Sequence, residues 1–400
     1  MTARGAPRRR VEIVDCYRLL AALAVVAFHY LYNGIKNGKI DSIDHSSLAE
    51  VARWGYLGVD LFFVISGYVI VASVVGKDAR RFATGRALRL YPAFWAGMLI
   101  TTAFAMILGG ERMDVTGPQF LANLTMVPKL LDQPLIDGVY WTLLYELRFY
   151  LLILALVLLR QGHRLPALMP AWAIGMFVLD VIDPSISSVL PYLGGYYLWF
   201  AGGAVIAIIA RDGWSLYRAA GLLAAYLPAT DFELSTKSIL ATVLYLLMLA
   251  TLIPAVRDLR IPGSATAGAL TYPLYLLHAH IGYMLLATYA TEQTKWFAYG
   301  AVTAVVLAMA YGLHLLVERN PAMRRFWAWL FDATLGRGVD LLQGAVDRAL
   351  ESGSTPGTAG PVMPALAGLP ASSAAASEAI GMEPSLAPAP RTEKEPAGRR

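Results

Sequence analysis

Three ionisable residues lie within one apolar stretch near the start of the chain, residues 15–32. Asp15, Arg18 and His29 are side chains that a bilayer excludes unless they are paired or functional. Arg18 and His29 are eleven residues apart, so on a helix they share one face and lie about 16 Å apart along the axis. With Arg18 at a membrane surface, His29 lies near the midplane, where an imidazole is a candidate general base. The alternative is an interfacial Asp15–Arg18 ion pair and a histidine hydrogen-bonded inside a helix bundle.

A pair of arginines before the third apolar segment has the spacing of a phosphate-binding site. Arg86 and Arg89 share a helix face, and Arg81 precedes them in the same basic cluster. A guanidinium group binds phosphate through two parallel hydrogen bonds, and a helix N-terminus adds partial positive charge. The three arginines are candidates for anchoring a phosphorylated cofactor. Charge that only fixes membrane topology or contacts anionic lipid is the alternative that sequence alone favours.

The fourth apolar segment carries a carboxylate and aromatic side chains. Glu146 lies six residues into the segment, about 9 Å from its outer boundary by helical rise. Trp141 and Tyr145 offer rings of the kind that sugars stack on, although a membrane-interface belt is the simpler explanation for Trp141. A buried carboxylate has no such simple explanation, so Glu146 is a candidate catalytic residue.

His278 and His280 are a tempting metal pair that the spacing argues against. Residues at i and i+2 of a helix point to different sides, and neither cysteine nor a nearby carboxylate completes a site. The single cysteine, Cys16, gives no disulfide and no thiolate site. The chain has no P-loop, G-x-G-x-x-G or G-x-S-x-G motif, and we predict neither a metal nor a nucleic-acid partner.

The composition indicates that a membrane positions these residues. Hydrophobic residues make up 57% of the 400, charged residues make up 15%, and the mean hydropathy is +0.53. Apolar runs of about twenty residues recur, whereas the alternating ten-residue segments of a β-barrel do not. The basic N-terminus resembles a signal peptide, but Arg18 and His29 inside the first run favour a retained span. The sequence predicts an all-α integral membrane protein with about ten transmembrane helices: 16–33, 56–76, 92–108, 140–159, 165–183, 189–210, 216–230, 238–256, 265–289 and 296–317.

Loop charges predict the orientation of these helices. Segments assigned to the inside hold nineteen Lys and Arg residues and those assigned to the outside hold seven, which favours an N-in, C-in topology.

The positions of one proline and two glycine pairs predict details of the third and sixth spans. Pro92 is placed to begin the third span, and the pairs Gly194–Gly195 and Gly202–Gly203 allow close packing in the sixth.

The chain divides into four segments. Residues 1–14 are a basic cytoplasmic N-terminus, and residues 15–325 hold the ten-helix membrane domain. Residues 351–400 are rich in Ala, Pro and Ser without periodicity, which predicts disorder. Residues 326–350 predict an interfacial amphipathic helix, with these apolar residues near one face: Val339, Leu342, Val346 and Leu350.

Five segments carry a resemblance to a known family: Asp15 with the Arg18-x10-His29 spacing, GVDLFFVISGYVI at 58–70, Arg86-x-x-Arg89 with LYPAFW, WTLLYELRFY at 141–150 and LTYPLYLLH at 270–278. In this order they resemble the integral-membrane acyltransferase-3 family, the bacterial O-acyltransferases that decorate cell-surface glycans. The resemblance covers residues 12–325. It departs where Cys16-Tyr17 replaces the family's usual Gly-Leu, and where the closing Glu-x-Pro element has an extra residue between Glu318 and Pro321.

The resemblance implies a multi-pass enzyme of the bacterial inner membrane. Its donor is an acyl-CoA bound from the cytoplasm, with acetyl-CoA the simplest choice. Its acceptor is a hydroxyl of a glycan or glycolipid presented from the other side. Arg18, His29, Arg86 and Arg89 match positions that the family treats as functional, and Glu146 matches a recurrent carboxylate. The candidate supporting residues are Asp15, Asp60, Trp141 and Tyr145.

These residues fit a direct transfer mechanism. His29 accepts the proton of the attacking hydroxyl, Arg18 steadies the thioester end of the donor, and Asp15 holds Arg18. An acyl-histidine intermediate is the alternative mechanism. Two other functions remain open: a transporter or flippase for a lipid-linked glycan, with His29 and Glu146 as proton-relay groups, and an inactive scaffold.

Overall fold

The computed structural model of the chain describes residues 10–352 apart from residues 75, 184 and 186–192, and it places them in helices and short connections. We number the ten helices that match the predicted spans and the two that follow: α1 (Glu12–Phe28), α2 (Leu57–Val74), α3 (Ala79–Leu108), α4 (Trp141–Leu158), α5 (Leu165–Ile182), α6 (Tyr197–Asp212), α7 (Leu216–Tyr226), α8 (Thr236–Ala250), α9 (Ser264–Tyr289), α10 (Lys295–Leu313), α11 (Pro321–Phe331) and α12 (Arg337–Ser352). π-helical segments continue three of them: His29–Asn33 after α1, His314–Glu318 after α10 and Asp332–Gly336 after α11. For the described residues, the predicted all-helical fold is confirmed.

Seven helical segments of the described residues are long and apolar enough to cross a membrane: Glu12–Lys36, Ala49–Val74, Ala79–Leu108, Gly138–Leu158, Gly162–Ile182, Gly194–Asp212 and Lys295–Glu318. The molecule is therefore a multi-pass membrane protein. Helix α7 has 11 residues and α8 has 15, while α9 has 26 but carries Thr271, His278 and His280. The count of ten spans depends on these three helices and remains a prediction.

Helices α6 and α9 form the centre of the bundle. Every residue from Tyr197 to Ile209 of α6 and from Thr271 to Met284 of α9 is buried, so protein surrounds both helices. Helix α2 packs along α6, α1 packs along α9, and α1 and α2 pack on each other. Because neighbouring helices separate it from lipid, α9 can carry polar side chains.

Glycines set the spacing between α2 and α6. A Cβ added at Gly203 of α6 would collide with the backbone oxygen of Val64 in α2, so the two backbones are in direct contact. The close packing predicted at Gly202–Gly203 is confirmed. The prediction is wrong for Gly194–Gly195, which precede α6 in a turn where Gly194 has a φ of 48°. A Cβ at Gly195 would meet nothing within 4 Å among the described residues.

Gly203→Ala is expected to destabilise the protein by about 1–3 kcal/mol, because the new methyl group forces the α2 backbone away from α6. The measurement is thermal unfolding of the detergent-solubilised protein. Gly300→Ala is the matched control, since a Cβ there would meet nothing within 4 Å among the described residues. Equal melting temperatures for the two variants would contradict the packing argument.

Helix α3 begins at Ala79, well before the predicted start at Pro92, so that prediction is wrong. Asp78 is the N-cap, and its side chain accepts a hydrogen bond from the backbone N of Arg81 at 2.7 Å. Pro92 lies inside the helix, where its missing N–H is tolerated because neighbouring helices support the backbone. Arg86 and Arg89 consequently lie within α3, and the charge of a helix N-terminus does not reinforce them.

Ion pairs attach α12 and the segment before it to the membrane domain. Arg80 of α3 binds Asp332 at 2.7 Å and also contacts Asp340, and Arg160 binds Asp347 at 2.9 Å. Hydrogen bonds from Arg80 and Arg160 hold the pKa of Asp332 and that of Asp347 below their usual range. The contribution of these two ion pairs to folding stability is complete above the ordinary carboxyl pKa of about 4. It is lost as the pH falls through the lowered pKa values of the two aspartates.

The apolar residues of α11 and α12 mostly point away from the protein. Trp329 is 65% exposed and Leu341 is 76% exposed, which suits the interfacial helix predicted for residues 326–350. Val339, predicted on the same face as Leu342, is instead buried against α3 because α12 docks there. Residues 1–9 and 353–400, which include most of the predicted N-terminal and C-terminal segments, lie outside the described residues.

Candidate active site

A π-helical segment at the end of α1 presents two polar side chains to α9. His29 and Asn33 are four residues apart, and both reach the hydroxyl of Tyr283. π-helical turns inserted in α-helices occur frequently at functional sites. We call His29, Asn33, Tyr283 and the neighbouring His278 the histidine cluster.

Hydrogen bonds fix the geometry of the histidine cluster. Nδ1 of His29 is in hydrogen-bonding contact with Oη of Tyr283. Nδ2 of Asn33 donates to the same oxygen at 3.0 Å and lies 3.4 Å from Nδ1 of His29. The rings of His29 and His278 meet edge to face, with 4.9 Å between their centroids. Two imidazoles therefore touch inside the bundle, and these contacts leave Nε2 of His29 available.

A chain of polar residues leads away from the histidine cluster. Asp137 is fully buried, accepts a hydrogen bond from the backbone N of His280 at 3.0 Å and lies 2.9 Å from Nδ1 of His280. Nε2 of His280 lies 3.0 Å from Nζ of Lys39, which also lies 5.7 Å from the ring centre of Tyr283. The ammonium group of Lys39 thus lies beside the histidine cluster.

A second polar group, the arginine cluster, lies where α1, α3, α4 and the end of α10 meet: Arg18, Arg86, Arg89, Glu146 and Glu318. Arg18 donates to Asp15 at 3.4 Å and interacts electrostatically with Arg89 and Glu146. Glu146 accepts hydrogen bonds from Oγ of Ser66 at 3.2 Å and from Oη of Tyr150. Arg18 and Glu146 therefore belong to the arginine cluster, whereas His29 makes its contacts in the histidine cluster.

Arg86 and Arg89 are held in different ways. Arg89 donates to Glu318 at 3.1 Å, and its guanidinium lies 5.2 Å from the ring centre of Tyr272. Arg86 lies 5.6 Å from the ring centre of Tyr150, makes no ion pair with the described residues, and has a buried Nε without a hydrogen-bond partner among them. Arg86 therefore keeps donors available for an anion.

One face of α9 connects the two clusters. Tyr272, Tyr275 and His278 follow at intervals of three residues, with Tyr272 beside Arg89 and His278 beside His29. Six residues of α-helix span about 9 Å. An elongated ligand anchored at the arginine cluster therefore has a short path to the histidine cluster.

Four predicted site residues are members of neither cluster: Arg81, Asp60, Trp141 and Tyr145. Arg81 is exposed and lies 3.4 Å from Asp78. Asp60 is buried in α2, and its charged neighbour is Lys237 of α8. Trp141 and Tyr145 pack on each other and on Phe63, in an aromatic group between α2 and α4.

No local sequence signal identifies Tyr283 as a site residue, because its partner is 254 positions away. The sequence does contain a signal for Asn33, because its i, i+4 spacing from His29 places the two side chains on the same helix face. His278 and His280 face different partners, as their spacing predicts, yet both adjoin His29 or Tyr283. This proximity comes from tertiary packing, which the i, i+2 spacing of the two histidines does not encode.

The fold and its two clusters define a helical membrane protein with a polar site buried between α1, α3 and α9. Residues 11–315 match the model of a family described as an acyltransferase domain, and the chain belongs to this acyltransferase-3 family. The resemblance drawn from the five sequence segments is therefore confirmed.

Curated relatives support the same class. The chain is 28% identical to acyltransferase MdmB of Streptomyces mycarofaciens over 366 residues, which are 79% of this chain and 92% of MdmB. It is 28% identical to the exopolysaccharide production protein ExoZ of Rhizobium meliloti over 167 residues, 38% of this chain and 50% of ExoZ. It is 25% identical to the peptidoglycan O-acetyltransferase OatA of Listeria monocytogenes over 197 residues, 44% of this chain and 29% of OatA. No solved structure matches the chain. The prediction of an acyltransferase is confirmed.

Proposed function

We propose that the protein moves an acyl group, acetyl in the simplest case, from a cytoplasmic acyl-CoA to a hydroxyl of a cell-surface or exported glycan or glycolipid. The main support is the pair of buried clusters on one face of α9, with arginines suited to an anionic donor and imidazoles suited to proton transfer. Relatives named for exopolysaccharide production and for peptidoglycan O-acetylation support a glycan acceptor.

The arginine cluster binds the donor in this proposal. Arg86 and Arg89 hold its phosphates, and Arg18 holds the thioester end. An open groove of about 360 Å³ beside Leu88 supplies further positive charge. It is lined by three arginines that form no ion pair among the described residues: Arg319, Arg324 and Arg325.

The histidine cluster performs the chemistry. As the acceptor oxygen attacks the thioester carbonyl, an imidazole takes the hydroxyl proton, a contribution that is typically about 10²–10⁴-fold. Lys39 has ammonium hydrogens beyond the one directed at His280, and these suit hydrogen bonds to sugar hydroxyls. Donor and acceptor thereby approach His29 from different directions.

We further propose ten spans with N-in, C-in topology in the bacterial inner membrane. Helices α1 and α9 run parallel, because Asp15 lies against Gly268 and Tyr30 lies against Gly282. Two parallel transmembrane helices have an odd number of membrane crossings between them. Because α2 to α6 supply five crossings, α7 and α8 either both cross the membrane or both do not. In either case, α10 returns the chain to the side on which α1 begins.

Acetyl transfer is tested with the full-length protein in nanodiscs, supplied with acetyl-CoA and with glycan extracted from a deletion strain. We expect release of free CoA thiol together with acetyl esters on the glycan, detected by mass spectrometry. Glycan movement across proteoliposomes without thioester cleavage would contradict the enzyme and support a transporter.

A further inference from the structure

His278 is the most deeply buried imidazole of the histidine cluster. Its Nδ1 lies 2.8 Å from the backbone oxygen of Tyr275, and because a carbonyl only accepts, Nδ1 carries the ring proton. In the neutral ring, Nε2 is therefore a bare lone pair, buried and without a hydrogen-bond partner among the described residues. The ring is 1% exposed and touches His29. This arrangement suits a proton acceptor.

The hydrogen-bond network places the proton of His29 on Nε2. Oη of Tyr283 accepts from Asn33, and among the described residues the remaining hydrogen-bond partner for its own proton is Nδ1 of His29. Nδ2 of Asn33, which is also a donor, lies 3.4 Å from the same Nδ1. Because two donors surround Nδ1, it acts as an acceptor, and the neutral ring carries its hydrogen on Nε2. The two imidazoles thus differ, since His29 offers an N–H and His278 offers a lone pair.

We propose that Nε2 of His278 takes the proton of the attacking hydroxyl, while Nε2–H of His29 donates a hydrogen bond to the thioester carbonyl oxygen. This assignment rests on the proposed function and divides its chemistry between two residues. The acceptor oxygen bonds to the acyl carbon as its proton moves to His278. The C–S bond then breaks, and the same proton passes from His278 to the departing thiolate. His29 stays neutral and stabilises the oxyanion.

Asp137 is the acidic group that stabilises the positive charge carried by His278 between these two steps. Asp137 interacts electrostatically with both His278 and His29. His280, which lies beside Asp137, and Lys39, which lies beside His280, are the other titratable groups of this polar chain. A buried carboxylate near an imidazole stabilises the imidazolium form.

His278→Asn removes the proposed base and keeps the local hydrogen bond, because the asparagine N–H lies near the position of Nδ1 and can still reach Tyr275. The variant is compared with His29→Gln in the full-length protein, with acetyl-CoA as donor and cyclohexanol or phenol as acceptor. Phenol ionises near pH 10, as tyrosine does, so it needs a base far less than cyclohexanol of similar shape. At pH 9 we expect His278→Asn to lower transfer to cyclohexanol by about 10²–10⁴-fold and transfer to phenol by less than about tenfold. His29→Gln should lower both alike.

His163→Asn is the matched control, because His163 makes the same contact between Nδ1 and the carbonyl three residues earlier but lies exposed between α4 and α5. Near wild-type transfer to cyclohexanol by His278→Asn, or an equal loss with both acceptors, would overturn the assignment and leave the proposed function intact. A wild-type protein that releases no CoA thiol with either alcohol, with water or with the extracted glycan would overturn the proposed function itself. If His278→Asn does not fold, His278→Gln is compared with the same two acceptors.

Discussion

Replacing His29 with alanine is expected to lower acyl transfer by about 10²–10³-fold while leaving donor affinity nearly unchanged. His29 lies at the centre of the histidine cluster, bonded to Tyr283 and in ring contact with His278. A hydrogen bond that strengthens in the transition state contributes to kcat rather than to ground-state binding. The measurement is kcat and KM for CoA thiol release, with acetyl-CoA as the varied substrate.

His29→Gln separates the two roles that His29 has been given. A glutamine amide donates a hydrogen bond but cannot accept a proton at neutral pH. If His29 is the hydrogen-bond donor that its network indicates, the glutamine variant should retain more activity than the alanine variant. A glutamine variant as inactive as alanine would favour the general-base role predicted from the sequence. An alanine variant with wild-type kcat would contradict both roles.

Arg86→Ala and Arg89→Ala are each expected to weaken acetyl-CoA binding by roughly 10–100-fold, because a charge-assisted hydrogen bond contributes about 1.5–3 kcal/mol. Lysine should restore only part of the affinity, since its ammonium group lacks the planar fork of arginine. Equilibrium binding of acetyl-CoA to the protein in nanodiscs measures the effect. A CoA analogue without the ribose phosphate shows whether that phosphate is among the groups bound, because the substitutions should then affect its binding less.

The two arginines should differ in their effect on stability. Arg89→Ala leaves Glu318 without its guanidinium partner, although His314 still contacts this carboxylate at 2.8 Å. Arg86 keeps a ring contact with Tyr150 but has no ion pair to lose among the described residues, so Arg86→Ala should destabilise the protein less than Arg89→Ala does. Arg112→Ala, which breaks an exposed pair with Asp41, is the control and should change neither affinity nor stability. Unchanged affinity in a folded Arg86/Arg89 double variant would leave these residues as topology determinants only.

Polar residues inside apolar runs were the sequence signal that pointed to the candidate site. Arg18, His29 and Glu146 are unusual in transmembrane segments, and the structure places each in one of the two clusters. Helical periodicity gave the distance between Arg18 and His29 along α1 but not which helices face them. The predicted catalytic set therefore divides: Arg18 and Glu146 interact with each other in the arginine cluster, while the π-helical turn presents His29 to α9.

The residues that sequence analysis did not place in the site belong mostly to α9. Tyr283 meets His29 only through tertiary packing, and a local pattern contains no information about a partner so distant in sequence. His278 ends one of the five segments that carry the family resemblance. Its spacing from His280 was considered only as a possible metal site, which that spacing argues against. The start of α3 was missed for a different reason, since Pro92 is a stronger helix-boundary signal than the Asp78 cap that the structure uses.

The burial of α9 has a consequence for how the protein enters the membrane. Polar groups at the centre of a helix oppose its transfer from the translocon into lipid, and α9 carries His278 and His280 within its buried stretch. The ribosome completes α1 long before α9, so a docking partner is already in the bilayer when α9 emerges. Gly268 and Gly282 let α9 lie directly against Asp15 and Tyr30 of that partner segment. We expect α9 to leave the translocon as it docks, so the two halves of the histidine cluster join during synthesis and not after it.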